Sequence, residues 1–415
     1  MTCAGCDLRM GDDGRILLCP HCQDESLLRT QYRSKEFAVA SEAEGIFRYR
    51  NWLPVRRNVV GSSRPVVYRS QGLGTELGLP DLWISFSGYW PERDSHMLSG
   101  TFKELEAYTV LGRIPLGAGV LVLASAGNTA AAFAVACRNL DYPCLMVVPD
   151  RSLAAIGSVG SIPENIRVVA LENGTYGEAM AYSRKIVATG PEFLSEGGVR
   201  NVGRRDGLAV VALTAYEAMG SLPDFYFQAV GSGAGAIATY EAAQRIARSG
   251  AAGHRIPRLF LCQNSEFAPL YASWCTEESS GQQSGTSVDV YAPELVNDAP
   301  PFAPSGGVRD ILTASAGGVL VADQEAAVAA AAMFEALEGM DIEPAAAVAV
   351  ACLRDAVAAG RVPGTARVLL NITGGGRKRR YERAGVEPYP AGTWFVSRDS
   401  APEVVAAKAL SSLRG

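Results

Sequence analysis

Basic charge, membrane-spanning runs and nucleotide-binding signatures are all scarce in this 415-residue sequence, and each shortage excludes a class of function. Lys and Arg total 38 against 43 Asp and Glu, so the net charge is −5 and there is no basic field to gather nucleic acid or anionic lipid. The charge-free stretch 118–137 is interrupted at its centre by Ser125, Gly127, Asn128 and Thr129, which reads as strand, polar loop and helix rather than as a membrane span. The opening residues lack the basic and apolar regions of a secretory signal, so a cytoplasmic location is expected. Gly231, Gly233 and Gly235 do not have the spacing of a dinucleotide fingerprint, and no Gly-Lys-Ser/Thr occurs. Internal repeats and low-complexity tracts are also missing.

What remains is the make-up of an enzyme-sized globular chain, 48% hydrophobic and 20% charged, long enough for two or three domains. Strand-like runs at 82–87, 120–124, 144–148, 168–171, 225–230, 259–262, 319–322 and 368–372 alternate with helical patterns. The helical patterns fall at 128–139, 177–188, 207–219, 235–248, 325–337 and 344–359. That alternation predicts an α/β fold of parallel sheets with helices on both faces. The stretch 276–307, rich in Ser, Gly, Pro and Gln, departs from it and reads as a long loop near the site or an exposed excursion.

Four of the nine cysteines form two knuckles, Cys3 with Cys6 and Cys19 with Cys22, separated by twelve residues. Paired knuckles present four thiolates tetrahedrally, which suits a structural Zn²⁺ with no position left for water. A redox pair is the alternative, and His21 is a possible substitute ligand. A piece this short cannot fold without a staple, which favours a zinc ribbon over 1–28. The other cysteines, such as Cys137 within its alanine-rich run, read as small core residues.

Three stretches carry chemistry. Lys103 stands where a strand-like run gives way to a helical pattern through Leu105, Ala107, Tyr108 and Leu111. A helix start disfavours a cation, which lowers an amine's pKa, and a desolvated amine of low pKa is what condenses with an aldehyde. Alone, this stretch reads more readily as a surface lysine early in a helix, and only the two further stretches change that. Ser125, Ala126, Gly127, Asn128 and Thr129 follow a strand and open a helix, where small residues and N–H groups can hold a carboxylate. Gly231, Ser232, Gly233, Ala234 and Gly235 repeat that context, and three glycines in five residues make a nest suited to phosphate. Either loop alone is as consistent with tight packing. Together the three describe a lysine bound to pyridoxal phosphate (PLP).

In this order the stretches resemble fold type II PLP enzymes, the threonine synthase and cysteine synthase group, with two lobes around the cofactor. Longer matches resemble the cysteate synthase family more closely. They are Phe86-Ser87-Gly88-Tyr89-Trp90-Pro91-Glu92, Phe102-Lys103-Glu104-Leu105-Glu106-Ala107, Glu196-Gly197-Gly198-Val199-Arg200-Asn201-Val202, Tyr226-Phe227-Gln228-Ala229 and Leu369-Leu370-Asn371-Ile372. The resemblance covers 52–380 and implies β-replacement on O-phospho-L-serine with sulfite, through an aminoacrylate, giving L-cysteate and phosphate.

Carried over by residue, Lys103 matches the Schiff-base lysine that also moves the α-proton. Asn128 matches the contact to the cofactor's 3-hydroxyl, 231–235 the cofactor-phosphate loop, and Ser125, Ala126, Gly127 and Thr129 the substrate-carboxylate loop. Thr373 matches the threonine beside the pyridine nitrogen. From charge alone, Arg200 and Arg204 are candidates for binding the leaving phosphate or sulfite, with Arg205 beside them, while 377–380 reads as surface. The expected lobes are a small one over 101–193 and a large one over 29–100 and 194–415. Expected partners are an amino-acid substrate, an oxyanion nucleophile and a second copy in a homodimer, without nucleic acid or membrane. Threonine synthase activity, another β-nucleophile such as sulfide or an amine, and a zinc-ribbon binding protein on an inactive scaffold stay open.

Overall fold

Parallel sheets buried on both faces require continuous apolar strands, and the chain supplies two sets of them. The computed structural model describes residues 1–250, 255–276, 290–298, 300–384 and 392–413. The strands of the ribbon and the two main sheets are, in chain order, β1 (Thr2–Cys3), β2 (Leu28–Arg29), β3 (Val66–Arg69), β4 (Leu82–Phe86), β5 (Val120–Ala124), β6 (Cys144–Pro149), β7 (Ile166–Leu171), β8 (Phe193–Ser195), β9 (Phe225–Ala229), β10 (Arg258–Asn264), β11 (Gly318–Ala322), β12 (Val368–Ile372) and β13 (Trp394–Val396). The helices that pack on them and shape the site include α1 (Lys103–Arg113), α2 (Asn128–Leu140), α3 (Tyr176–Val187), α4 (Val202–Leu208), α5 (Val210–Met219), α6 (Ala234–Arg248), α7 (Gln324–Glu338), α8 (Pro344–Ala358), α9 (Arg377–Ala384) and α10 (Pro402–Leu413).

The smaller sheet runs β8-β5-β6-β7-β13 and is parallel throughout. The larger runs β11-β10-β9-β12-β4-β3 and is parallel except for β3 at its edge. Every residue of β6, β9 and β12 is buried. Helix starts follow local chemistry. Thr175 and Glu178 form a reciprocal capping box at α3, Asp323 caps α7 through Ala326 N, and Pro344 occupies the first turn of α8. The largest core lies around α1, α2, α5 and α6, and a second packs α7 and α8 against the larger sheet.

Two boundaries differ from expectation. The small lobe does not end at 193, because β8 continues to Ser195 and the chain returns at its end. Trp394, Phe395 and Val396 pair with Val169, Ala170 and Leu171, and α10 buries Val405, Ala406 and Ala409 against α3. A three-residue edge strand leaves no periodicity to read, which is why the sequence alone assigns these residues to the large lobe. The second difference is at 200–206. Asn201 accepts from Gly203 N and starts α4, so Arg204, Arg205 and Asp206 are helical and buried rather than a turn preceding the helix.

The ribbon pairs Cys3 with Leu28 and Thr2 with Arg29, and it docks on the catalytic unit. Arg113, at the end of α1, donates to Asp12 Oδ1 at 2.7 Å and Oδ2 at 3.0 Å, to Ile16 O at 2.9 Å and to Asn201 Oδ1 at 3.1 Å. Part of the expected loop 276–307, at 277–289 and 299, lies outside the described residues, while its remainder reaches the site.

Candidate active site

A cleft open to solvent lies where the N-terminal ends of α1, α2 and α6 converge. Its lining unites Lys103, residues 125–129, residues 231–235 and Thr373, which are scattered in sequence. All of the expected cofactor residues and the expected carboxylate loop thus meet in one cavity.

Lys103 is the first residue of α1 and its side chain is 22% exposed. Its pKa lies below the ordinary lysine value, chiefly through burial, with the nearby Arg204 charge adding to the effect and Glu106 opposing it. Lys103 Nζ stands 3.5 Å from Glu106 Oε2, one turn along α1. Glu106 is fully buried and also accepts from Thr129 Oγ1 at 3.3 Å and pairs with Arg204 Nη1 at 2.7 Å. The α1–α4 approach that allows this needs Gly207, where a Cβ would stand 2.5 Å from Leu105 O.

The two loops offer donors to anions. In the 125–129 loop Ser125 Oγ accepts from Gly127 N and Ala130 N, both at 3.0 Å, so this hydroxyl shapes the loop. The N–H groups of Ala126, Asn128 and Thr129 have no acceptor among the described hydrogen bonds and remain for a ligand carboxylate. In the 231–235 loop Gly233 takes φ +77°, and a Cβ there would lie 2.5 Å from Val308 Cγ2. The N–H groups of Gly231, Ser232, Gly233 and Gly235 likewise have no described acceptor at the start of the 15-residue α6. A buried amine beside two sets of unfilled donors fits PLP: 231–235 would hold its phosphate and Lys103 its aldehyde carbon. Thr373, which lines the same cleft, accepts from Phe102 N through its carbonyl at 2.9 Å, tying β12 to the start of α1.

The arginine expectations need correction. Arg200 Nε pairs with Asp24 of the ribbon at 2.7 Å, and Arg200 is not among the cleft-lining residues. Arg204 does line the cleft, but its fork is occupied: Nε and Nη2 bond Glu196 at 2.9 and 2.5 Å while Nη1 takes Glu106. All three of its guanidinium nitrogens are thus paired with buried carboxylates. Arg205 is buried on the carbonyls of Val199 and Leu28. The run 377–380 is not all surface. Arg380 is buried, and Arg377 pairs with Glu343 and donates to Asn128 Oδ1 at 3.3 Å.

Residues that sequence reasoning missed are therefore mostly acidic. Glu106, Glu294 and Glu343 come from three segments, and the last two line the cleft. Burial pushes Glu343 up to about 7, with Arg377 opposing, and burial raises Glu294 as well. The one available signal was Glu106 at three residues from Lys103 on the same helix face.

At the ribbon, one sulfur from each of Cys3, Cys6, Cys19 and Cys22 lies within 4.8 Å of all the others, so the donor set and spacing fit a four-coordinate zinc. His21 is exposed and outside this group. Among the described residues no helix is long and apolar enough to cross a membrane.

Residues 67–374 match the family of pyridoxal-phosphate dependent enzymes. Curated relatives include a cysteate synthase of Methanosphaerula palustris, 41% identical over 94% of this chain and 93% of its own length. Another, from Methanothrix thermoacetophila, is 43% identical over 92% of each. Among solved structures, maize serine racemase superposes with a TM-score of 0.58 at 18% identity, over 75% of this chain and 89% of its own. A fungal L-serine ammonia-lyase from Rhizomucor miehei gives 0.60 at 15% identity, over 77% and 98%. These two show the shared α/β fold.

Proposed function

The chain belongs to the pyridoxal-phosphate dependent enzymes and, within them, to the cysteate synthase family, and on that premise we propose that it replaces the phosphate of O-phospho-L-serine with sulfite, giving L-cysteate and phosphate. The observation that carries this reading is the convergence of a buried amine, a carboxylate-sized donor loop and a phosphate nest on one cleft. PLP, when bound, draws electron density from the substrate's α-carbon so that its proton can leave.

The chain's residues supply the rest. The free N–H groups of Ala126, Asn128 and Thr129 hold the substrate carboxylate. The lowered pKa of Lys103 raises the neutral fraction of Nζ, so that it can take the α-proton. Glu106 Oε2 then accepts a hydrogen bond from the ammonium, keeping the proton at Nζ until it is returned after sulfite has added. Arg204 balances Glu106 and Glu196, so the anionic substrate does not meet two unpaired carboxylates. Thr373 sits beside the ring nitrogen in this reading; a hydroxyl there does not hold that nitrogen protonated, which suits elimination over transamination. A cytoplasmic homodimer completes the proposal.

The test is to incubate the holoenzyme with O-phospho-L-serine and sulfite, sulfide or an amine in turn, and with O-phosphohomoserine in water, identifying products by mass. L-cysteate with equimolar phosphate is expected, with the other combinations much slower. Threonine from O-phosphohomoserine as the main product would overturn it.

A further inference from the structure

Asn128 opens α2 beside the smaller sheet, and Arg377 opens α9, which follows β12 of the larger sheet. Their side chains meet, Arg377 Nη2 donating to Asn128 Oδ1 at 3.3 Å. A guanidinium has donors only, so the carboxamide atom facing it must be the oxygen, and the NH₂ group is turned away from it. Asn128 lines the cleft, and its Nδ2 has no acceptor among the described hydrogen bonds. Arg377 is itself anchored. Its backbone N donates to Asp341 Oδ2 at 2.9 Å, Nε pairs with the buried Glu343, and Nη1 reaches the Tyr381 hydroxyl at 3.5 Å.

We propose that Arg377 is a positioning residue for the cofactor: by holding Asn128 Oδ1 it fixes the carboxamide with Nδ2 as donor toward the oxygen on the cofactor ring, and it ties the two lobes together at that point. The inference rests on Asn128 standing beside the ring oxygen and is independent of which nucleophile the enzyme uses. With Arg377 in place the ring oxygen meets a donor, which favours its anionic form. Without it the carboxamide is free to flip and present an acceptor, which disfavours that form. The expected signature is therefore electronic and needs no turnover.

The experiment takes the holoenzyme without substrate and records the cofactor's visible absorption across pH, its affinity, and the intact mass after borohydride reduction. Arg377→Met should keep the cofactor on Lys103, shift the visible band and its titration, and weaken cofactor affinity about tenfold. Arg377→Lys, which keeps a donor, should recover part of both. In an Asn128→Ala background, Arg377→Met should change the spectrum no further. If Arg377→Met does not fold, Asn128→Asp keeps the contact to Arg377 through one oxygen while turning an acceptor on the ring, and the same direction of shift is expected. A spectrum unchanged by Arg377→Met or by Asn128→Asp, or a shift undiminished in the Asn128→Ala background, would overturn the proposal. Cofactor attached elsewhere than Lys103 in the unsubstituted enzyme would overturn the reading of the site, and the proposal with it.

Discussion

Arg204 meets two carboxylates through its three guanidinium nitrogens with very little solvent around it, since it and both partners, Glu106 and Glu196, are buried. Removing one member of such a group leaves the others uncompensated, which costs about 3–5 kcal/mol. Arg204→Ala should therefore lower the melting temperature sharply and reduce turnover with every nucleophile alike, as measured by thermal unfolding and by rates at varied sulfite. A selective rise in the sulfite requirement with unchanged stability would show that the fork binds oxyanion after all. Glu104, next to Lys103, gives a second residue-level expectation. Burial pushes its pKa up to about 7 from 4.5, and its Oε1 accepts from Ser99 N. The folded state then binds more protons than the unfolded one between those two values, so stability falls as pH rises through that window. Glu104→Gln keeps an acceptor but no charge, and should remove a fall on the order of 3 kcal/mol, read from denaturant unfolding at pH 5 and pH 8. Equal pH dependence in both proteins would contradict the buried position of Glu104.

At the scale of elements, α1 is the lever. Its first residue is Lys103 and its last, Arg113, is almost wholly buried on Asp12 and Ile16 of the ribbon. A metal-stapled ribbon would therefore brace the far end of the helix whose near end carries the Lys103 amine. The purified protein should hold one zinc per chain by metal analysis. Cys19→Ser should lose it and lower the unfolding temperature, because the ribbon buries only a few apolar residues, two of them the cysteines Cys3 and Cys19, and these cannot replace the metal. Cofactor content should stay largely intact, since the ligands of the phosphate nest and Lys103 lie outside the ribbon. Zinc-free protein of unchanged stability, prepared without chelator, would contradict the metal assignment.

At the scale of the whole molecule, the elements buried on both faces were legible and the sparse ones were not. β5 and β6 announce themselves as continuous apolar runs, β9 and β12 as apolar runs each broken by one polar residue, Gln228 and Asn371, and the turns after β5 and β9 could be placed at helix starts from sequence. Trp394–Val396 is too short and too exposed to show a period, so the return of the chain to the smaller sheet emerged only from pairing. In the site, Lys103 and both loops were readable because their backbone context defines them. Arg200 and Arg204 were not, because sequence shows a charge but not its partner: one faces Asp24 and the other Glu106 and Glu196. Arg377 was missed for the same reason, its partners Glu343 and Asn128 lying far off in the chain. On this reading of the site the cofactor is attached to one amine, that of Lys103. Borohydride reduction of the holoenzyme followed by peptide mass analysis tests that most directly. The account predicts one reduced pyridoxyl phosphate per chain, on Lys103 and absent from Lys103→Ala; label on any other lysine, or retained by Lys103→Ala, would contradict it.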